Sequence, residues 1–277
     1  MLLIKYITII FSFLFTTAIF GTCKNDILIC YGELNPKDIS GSKYVILESE
    51  HYSKADVAIL KQHNKLVLCY ISLGEVNKQA KSFPYFKDLV TDKNELWNSY
   101  YLNLKSSDTK LVLKNIIAVQ LEKGFDGLFL DNIDNYGSFG KQYAQRFDLV
   151  EFLREIRELY PSLYFMQNAG LQLIESTSSL INAIAFESVA SDYDFKDSSY
   201  KLRKAKAFKS YIDSLKLLEQ NYKLPIILIE YADDYSLYKR IKSRIKHTRW
   251  SYFIGKIDLQ IPRDIEGNFN PTTVKKH

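Results

Sequence analysis

The sequence predicts an α/β protein, a single (β/α)8 TIM-type barrel. Three observations lead there: eight short apolar runs, amphipathic helical stretches between most of them, and acidic residues at the ends of several runs. The apolar runs, read as strands, cover 27–31, 44–47, 66–72, 127–130, 163–167, 183–186, 225–229 and 250–254. Helical spacing is found over 54–63, 111–123, 141–160, 171–180, 200–222 and 234–246. In the second of these, Leu111, Leu113, Ile116, Ile117, Val119 and Leu121 recur at helical intervals and stop at Gly124, which reads as a C-cap. Alternation at this repeat length fits one barrel better than two domains. An open doubly wound sheet is the alternative fold. No G-x-G-x-x-G follows the first strand, so its dinucleotide-binding form is not expected.

The chain divides into three parts. Residues 1–22 read as a secretory signal peptide: Met1 to Lys5 carries one positive charge, 6–20 is uncharged and largely apolar, and Gly21 and Thr22 follow. The apolar core is shorter than the ~20 residues of a membrane-spanning helix. An uncleaved N-terminal anchor is the alternative, and Cys23 raises the question of lipidation. Residues 23–262 form the barrel, and 263–277 a polar, aperiodic tail. The protein is therefore expected to be exported, periplasmic or secreted, and a monomer without a stable membrane span once the signal is removed.

Three cysteines are too few for a disulfide scaffold and match no zinc spacing, and Cys30 and Cys69 fall inside expected strands as small buried residues. His51, His63, His247 and His277 show neither H-x-H nor H-E-x-x-H. No metal and no cofactor is expected, carboxylates around a hard cation being the remaining route to a metal. The formal net charge of +5 rests largely on expected helices, as at Lys201, Arg203, Lys204 and Lys206. The residues at or just after the strand ends are different: Glu33, Glu48, Glu75, Asp131, Asn168, Glu187 and Glu230, with Asp258 slightly beyond the last strand. An acidic mouth of this kind repels phosphates, which argues against a nucleic-acid partner.

The run from Gly124 to Tyr136 has the order helix, glycine, strand, acid. Strand C-terminal ends face the ligand crevice of a parallel α/β protein, so Asp131 is a candidate reactive group, with Asn132, Asp134 and Tyr136 beside it. A helix-capping loop would also favour Asp and Asn here. Acids without a histidine base, a thiol nucleophile or a phosphate loop point to glycoside hydrolysis, which sets two carboxyl groups around the scissile bond. Asp131 follows the fourth strand and Glu187 the sixth, across part of the mouth from each other. The apolar residues Ala183 to Phe186 ahead of Glu187 could raise its pKa, as a general acid requires. A buried glutamate paired to a base is the other reading of that position.

Five segments in order carry a resemblance: Leu68-Cys69-Tyr70-Ile71-Ser72-Leu73-Gly74-Glu75, then Gly124 to Tyr136, then Gln167-Asn168-Ala169-Gly170, then Phe186-Glu187-Ser188-Val189, and Ile227-Leu228-Ile229-Glu230-Tyr231. Together they resemble glycoside hydrolase family 114, associated with endo-α-1,4-polygalactosaminidase activity, over nearly all of the chain after the leader. The resemblance implies a barrel in which Asp131 matches the nucleophile and Glu187 the acid/base. It also implies substrate-binding roles for Tyr70, Glu75, Asn132, Asp134, Tyr136, Asn168 and Glu230. Many relatives have Asp-Tyr where this chain has Glu230-Tyr231, and the polar loop 191–199 has no clear counterpart; both bear on substrate choice more than on reaction type. The expected partner is a polysaccharide or oligosaccharide, and a cationic galactosamine polymer would suit an acidic mouth. Two other classes compete. One is a barrel that binds carbohydrate or an envelope component without cleaving it. The other is a barrel lyase or isomerase, which would normally show a lysine or histidine base or a metal cluster at the strand ends.

Overall fold

The computed structural model describes residues 26–260. The signal-peptide reading of 1–22, Cys23 and the tail 263–277 lie outside the described residues. In chain order the strands are β1 (Ile27–Cys30), β2 (Tyr44–Leu47), β3 (Leu66–Ser72), β4 (Glu75–Asn77), β5 (Val90–Asn94), β6 (Ser99–Leu102), β7 (Gly127–Asp131), β8 (Tyr164–Asn168), β9 (Ala183–Glu187), β10 (Ser191–Asp194), β11 (Ser199–Leu202), β12 (Ile226–Tyr231) and β13 (Ser251–Gly255). The helices are α1 (Lys54–His63), α2 (Phe83–Phe86), α3 (Ser107–Leu121), α4 (Arg146–Leu159), α5 (Ile174–Thr177), α6 (Ala205–Tyr222) and α7 (Tyr235–Ile245).

Eight parallel strands in the order β1-β2-β3-β7-β8-β9-β12-β13 curl into a nearly closed barrel, with helices packed outside most of the crossovers. All eight expected strands belong to it. No ladder joins β13 to β1 among the described residues. The seam is bridged just beyond the strand ends, where the Tyr31 N–H donates to the Leu259 carbonyl at 2.8 Å and the Cys30 thiol to the Gln260 carbonyl at 3.3 Å.

Two separate apolar layers follow from the alternation of side chains along a strand. Ile27, Ile29, Tyr44, Ile46, Leu68, Phe129, Met166, Ala183, Ala185, Ile227, Ile229 and Phe253 fill the barrel interior. Their sequence neighbours, among them Val45, Leu47, Val67, Cys69, Leu128, Phe165, Ile184 and Leu228, meet the helices. Helix α4 shows how the outer layer is closed, since Leu149, Phe152, Leu153 and Ile156 give it one apolar stripe. Helix α1 starts in a capping box, with Ser53 and Asp56 exchanging side chain to backbone hydrogen bonds. Gly124, at φ +97°, ends the turn after α3 in a conformation that costs other residues about 1–2 kcal/mol.

Three helical expectations are corrected. The stretch 171–180 holds only a 3-10 turn at Leu171–Leu173 and the single turn α5, because Ser176, Thr177, Ser178 and Ser179 compete for their own backbone. The stretch 141–160 begins with a 3-10 turn at Tyr143–Gln145 before α4. The stretch 200–222 opens as β11, which pairs antiparallel with β10, and α6 starts only at Ala205. Strands β4, β5 and β6, a small antiparallel sheet after β3, are not among the expected elements. Both additions rise from C-terminal strand ends, on the side where the mouth lies.

Candidate active site

The barrel interior continues upward into a cleft of about 1680 Å³, and the parity of the strands decides what lines it. Two residues beyond Ile29, Ile46, Leu68, Phe129, Met166, Ala185 and Ile229 come Tyr31, Glu48, Tyr70, Asp131, Asn168, Glu187 and Tyr231. All seven line the cleft, as the period of two requires.

Five of them form one hydrogen-bonded chain. The Tyr70 hydroxyl donates to Asp131 Oδ2 at 2.8 Å. The Asn168 amide nitrogen donates both to Asp131 Oδ1 at 2.8 Å and to Glu187 Oε1 at 2.6 Å. The Tyr231 hydroxyl donates to Glu187 Oε2 at 2.5 Å. Each of the four carboxyl oxygens thus has a donor, and one amide holds the two acids together. The orientation of that amide follows from its neighbours, since a reversed Asn168 would aim its oxygen at two carboxylates.

Each central residue of this chain is followed by a non-glycine residue in the left-handed region: Asn132 (φ 60°) after Asp131, Ala169 (φ 57°) after Asn168 and Ser188 (φ 54°) after Glu187. The turns end the strands sharply at these three side chains. Conformations of this kind concentrate where a site needs fixed geometry.

Burial pushes the Glu187 carboxyl up to about 7, with the Asp131 charge adding to it and the bonds from Tyr231 and Asn168 opposing it. Glu187 is set deep among protein groups yet keeps an exposed face on the cleft. Asp134, also on the cleft, is raised by burial and by Asp131. Glu48 is pushed up to about 7 by burial and by Glu50.

The remaining expected site residues separate into two groups. Asn132 and Glu75 line the cleft, but their polar groups already have partners. Asn132 Nδ2 donates to Ser72 Oγ at 2.9 Å, fastening the end of β3 to the turn after β7. The Glu75 carboxylate accepts from Asn94 at 3.1 and 3.2 Å, from Asn135 at 2.8 Å and from Ser99. Tyr136 and Glu230 do not reach the cleft, which corrects the expectation that they meet substrate. Tyr136 lies beneath the floor, its hydroxyl donating to the Leu73 carbonyl at 2.8 Å. Glu230 has the outward parity of Ile226 and Leu228 and is fully buried, accepting from the Ala190 and Ser191 N–H groups at 2.9 and 2.7 Å and from the Ser191 hydroxyl at 2.5 Å.

Replacing Glu230 by alanine is expected to strand those two backbone donors and lower stability by about 2–4 kcal/mol, with the glutamine variant losing less. Urea unfolding of the two variants checks the order. Sequence reasoning passed over Tyr31 and Tyr231, two of twenty tyrosines, and inward parity is the signal that would have found them.

Among the described residues, one group of donors has metal-like spacing: Glu48, Glu50 and His51, with ligand atoms within 4.8 Å of one another. Lys81, 3.3 Å from Glu50, already supplies positive charge there.

The sequence profile of glycoside-hydrolase family GH114 matches residues 26–267. The chain belongs to family GH114. Among solved structures, the glycoside hydrolase domain of PelA from Pseudomonas aeruginosa is similar over 87% of this chain and 97% of that one, with TM-score 0.76 and 23% identity. Ega3 of Aspergillus fumigatus, solved in complex with galactosamine, is similar over 87% of this chain and 93% of its own, with TM-score 0.68 and 18% identity. At these identities the likeness establishes the barrel fold. A curated relative, the uncharacterized protein MJ1477 of Methanocaldococcus jannaschii, is 22% identical over 209 residues, which are 68% of this chain and 58% of that protein. The GH114 match runs through all eight barrel strands and so includes every residue of the hydrogen-bonded chain.

Proposed function

We propose that this GH114 protein is an exported glycoside hydrolase cleaving α-linked, galactosamine-type polysaccharide, with Asp131 as nucleophile and Glu187 as general acid/base. The observation that carries the reading is the single Asn168 amide bridging the two carboxyl groups. The bridged oxygens lie no farther apart than the 2.8 and 2.6 Å legs laid end to end. Retaining glycosidases hold their carboxyl groups about 5–5.5 Å apart, and inverting ones about 6.5–9.5 Å to admit a water. The bridge therefore supports retention.

In the first step Glu187 gives its proton to the glycosidic oxygen as Asp131 attacks the anomeric carbon, so the leaving sugar departs neutral and a glycosyl ester forms on Asp131. In the second, Glu187, now ionised, takes a proton from water, which displaces Asp131 and restores the starting configuration. Tyr70 and Asn168 hold the attacking carboxylate, and Tyr231 holds the acid. Membership of GH114 supports the hydrolase assignment, and the galactosamine bound by Ega3 supports the sugar. Carboxylates around the mouth would pair with the ammonium groups of such a polymer. The apolar segment within 1–22 supports export, and no helix of the described residues is long and apolar enough to cross a membrane. The enzyme is expected to act as a monomer.

Reducing-end release from α-1,4-galactosamine polymer, set beside N-acetylated and neutral polysaccharides, tests the activity. No release from any polymer by folded protein would leave a carbohydrate-binding barrel. Proton NMR of the first product formed should show the α anomer; the β anomer would overturn the retaining mechanism. Tyr231→Phe removes a bond that holds the Glu187 pKa down, so its rate profile should extend to higher pH at a reduced kcat, read from kcat against pH.

A further inference from the structure

Two hairpins rise from the mouth, and they meet. The β5–β6 hairpin follows β3, and the β10–β11 hairpin follows β9, so their stems flank β7 and β8, which carry Asp131 and Asn168. At the tips the Trp97 and Phe195 rings lie 5.5 Å apart, edge to face at 84°. The packing continues from Phe195 to Tyr193 at 4.9 Å and on to Tyr200 at 4.8 Å. The Tyr200 hydroxyl accepts from the Ile257 N–H at 3.2 Å, which ties this end to the segment after β13. On the other side Glu75 grips Asn94 and Ser99, the two residues that bracket the turn holding Trp97. The aromatic strap is thus fastened to the barrel at both ends.

A pair of rings serving only to staple two loops would be expected to hide from water. Trp97 and Phe195 are instead 48% and 46% exposed. Trp97 also lines the same cleft as Asp131 and Glu187, so its open surface is continuous with the reaction site. An indole face suits a sugar in two ways: it packs against the apolar C–H face of a pyranose, and it attracts an ammonium group.

We infer that Trp97 and Phe195 form a distal subsite for an amino-sugar polymer, holding units of the chain away from the bond that is cut. This rests on the carbohydrate reading of the cleft, but not on cleavage. Long oligomers should reach the strap and short ones should not, so affinity gains with length and the gain depends on Trp97.

The chain has two tryptophans, and the other, Trp250, is only 4% exposed, so emission changes on binding report Trp97. The experiment uses folded Asp131→Asn protein, titrated with short and long α-1,4-galactosamine oligomers by calorimetry and by tryptophan emission. Long oligomers should shift the emission and bind more tightly than short ones. Adding Trp97→Ala should weaken the long oligomer about tenfold, Phe195→Ala should weaken it less, and Trp97→Phe should restore most of the affinity. Long-oligomer affinity unchanged by Trp97→Ala would overturn the proposal, as would no detectable binding of any oligomer. Length-dependent binding through Trp97 in a protein whose unsubstituted form cleaves nothing would uphold the subsite while the hydrolase reading falls.

Discussion

Asp131→Asn should lower kcat on polymer by on the order of 10⁴-fold or more while leaving the protein folded and able to bind. The amide keeps the volume of the carboxylate and can still meet Tyr70 and Asn168, so the loss is chemical. An asparagine cannot form the glycosyl ester that splits the reaction into two steps. Mass spectrometry of protein quenched during turnover should find the sugar adduct on the unsubstituted enzyme and none on the variant. Residual turnover above a few per cent would remove Asp131 from the reaction.

Glu187→Gln should cost about 10²–10⁴-fold in kcat/KM on natural linkages, the usual range for a general acid, and far less in kcat/KM on aryl glycosides whose leaving groups depart without a proton, the second step losing its base on either substrate. The pH profile carries the same information. The acid works only when protonated, and its pKa is pushed up to about 7, so the rate should be full below that value and fall as pH rises through it. Glu48 is pushed up to about 7 as well and lies on the same cleft. With an activated aryl glycoside the alkaline fall should vanish in Glu187→Gln. A fall that persists there would assign it to Glu48, and an equal loss of kcat/KM on both substrate types would reduce Glu187 to binding.

The eight barrel strands were legible because each is a dominantly apolar run, and the placement of Asp131 and Glu187 on the cleft because they stand directly behind two of them. Glu230 shows where that reading fails. Ending the strand at Ile229 made Glu230 the rim residue, whereas β12 runs to Tyr231 and one step along a strand reverses the face. The acid therefore points outward to Ser191, and the tyrosine reaches Glu187. Tyr136 was misjudged for a related reason, since the 3-10 turn after Asn132 carries its ring under the floor. The two hairpins left no trace because their strands are only four or five residues long and carry many polar residues. What pairs them is tertiary: Glu75 bonding across three segments, and the rings at the tips.

The shared inward parity has a consequence for how this enzyme can change over generations. Substitutions and insertions in the crossover helices alter the outer layer and leave the mouth as it is. A single deletion inside β7, β8 or β9 is different, because it would exchange Asp131, Asn168 or Glu187 for a neighbour of opposite face and break the hydrogen-bonded chain in one event. A paired deletion would restore the face but draw the side chain down one layer into the barrel. Lineages derived from this chain should therefore keep strand length fixed and vary through the hairpins, where Trp97 and Phe195 can be replaced without disturbing the acids below.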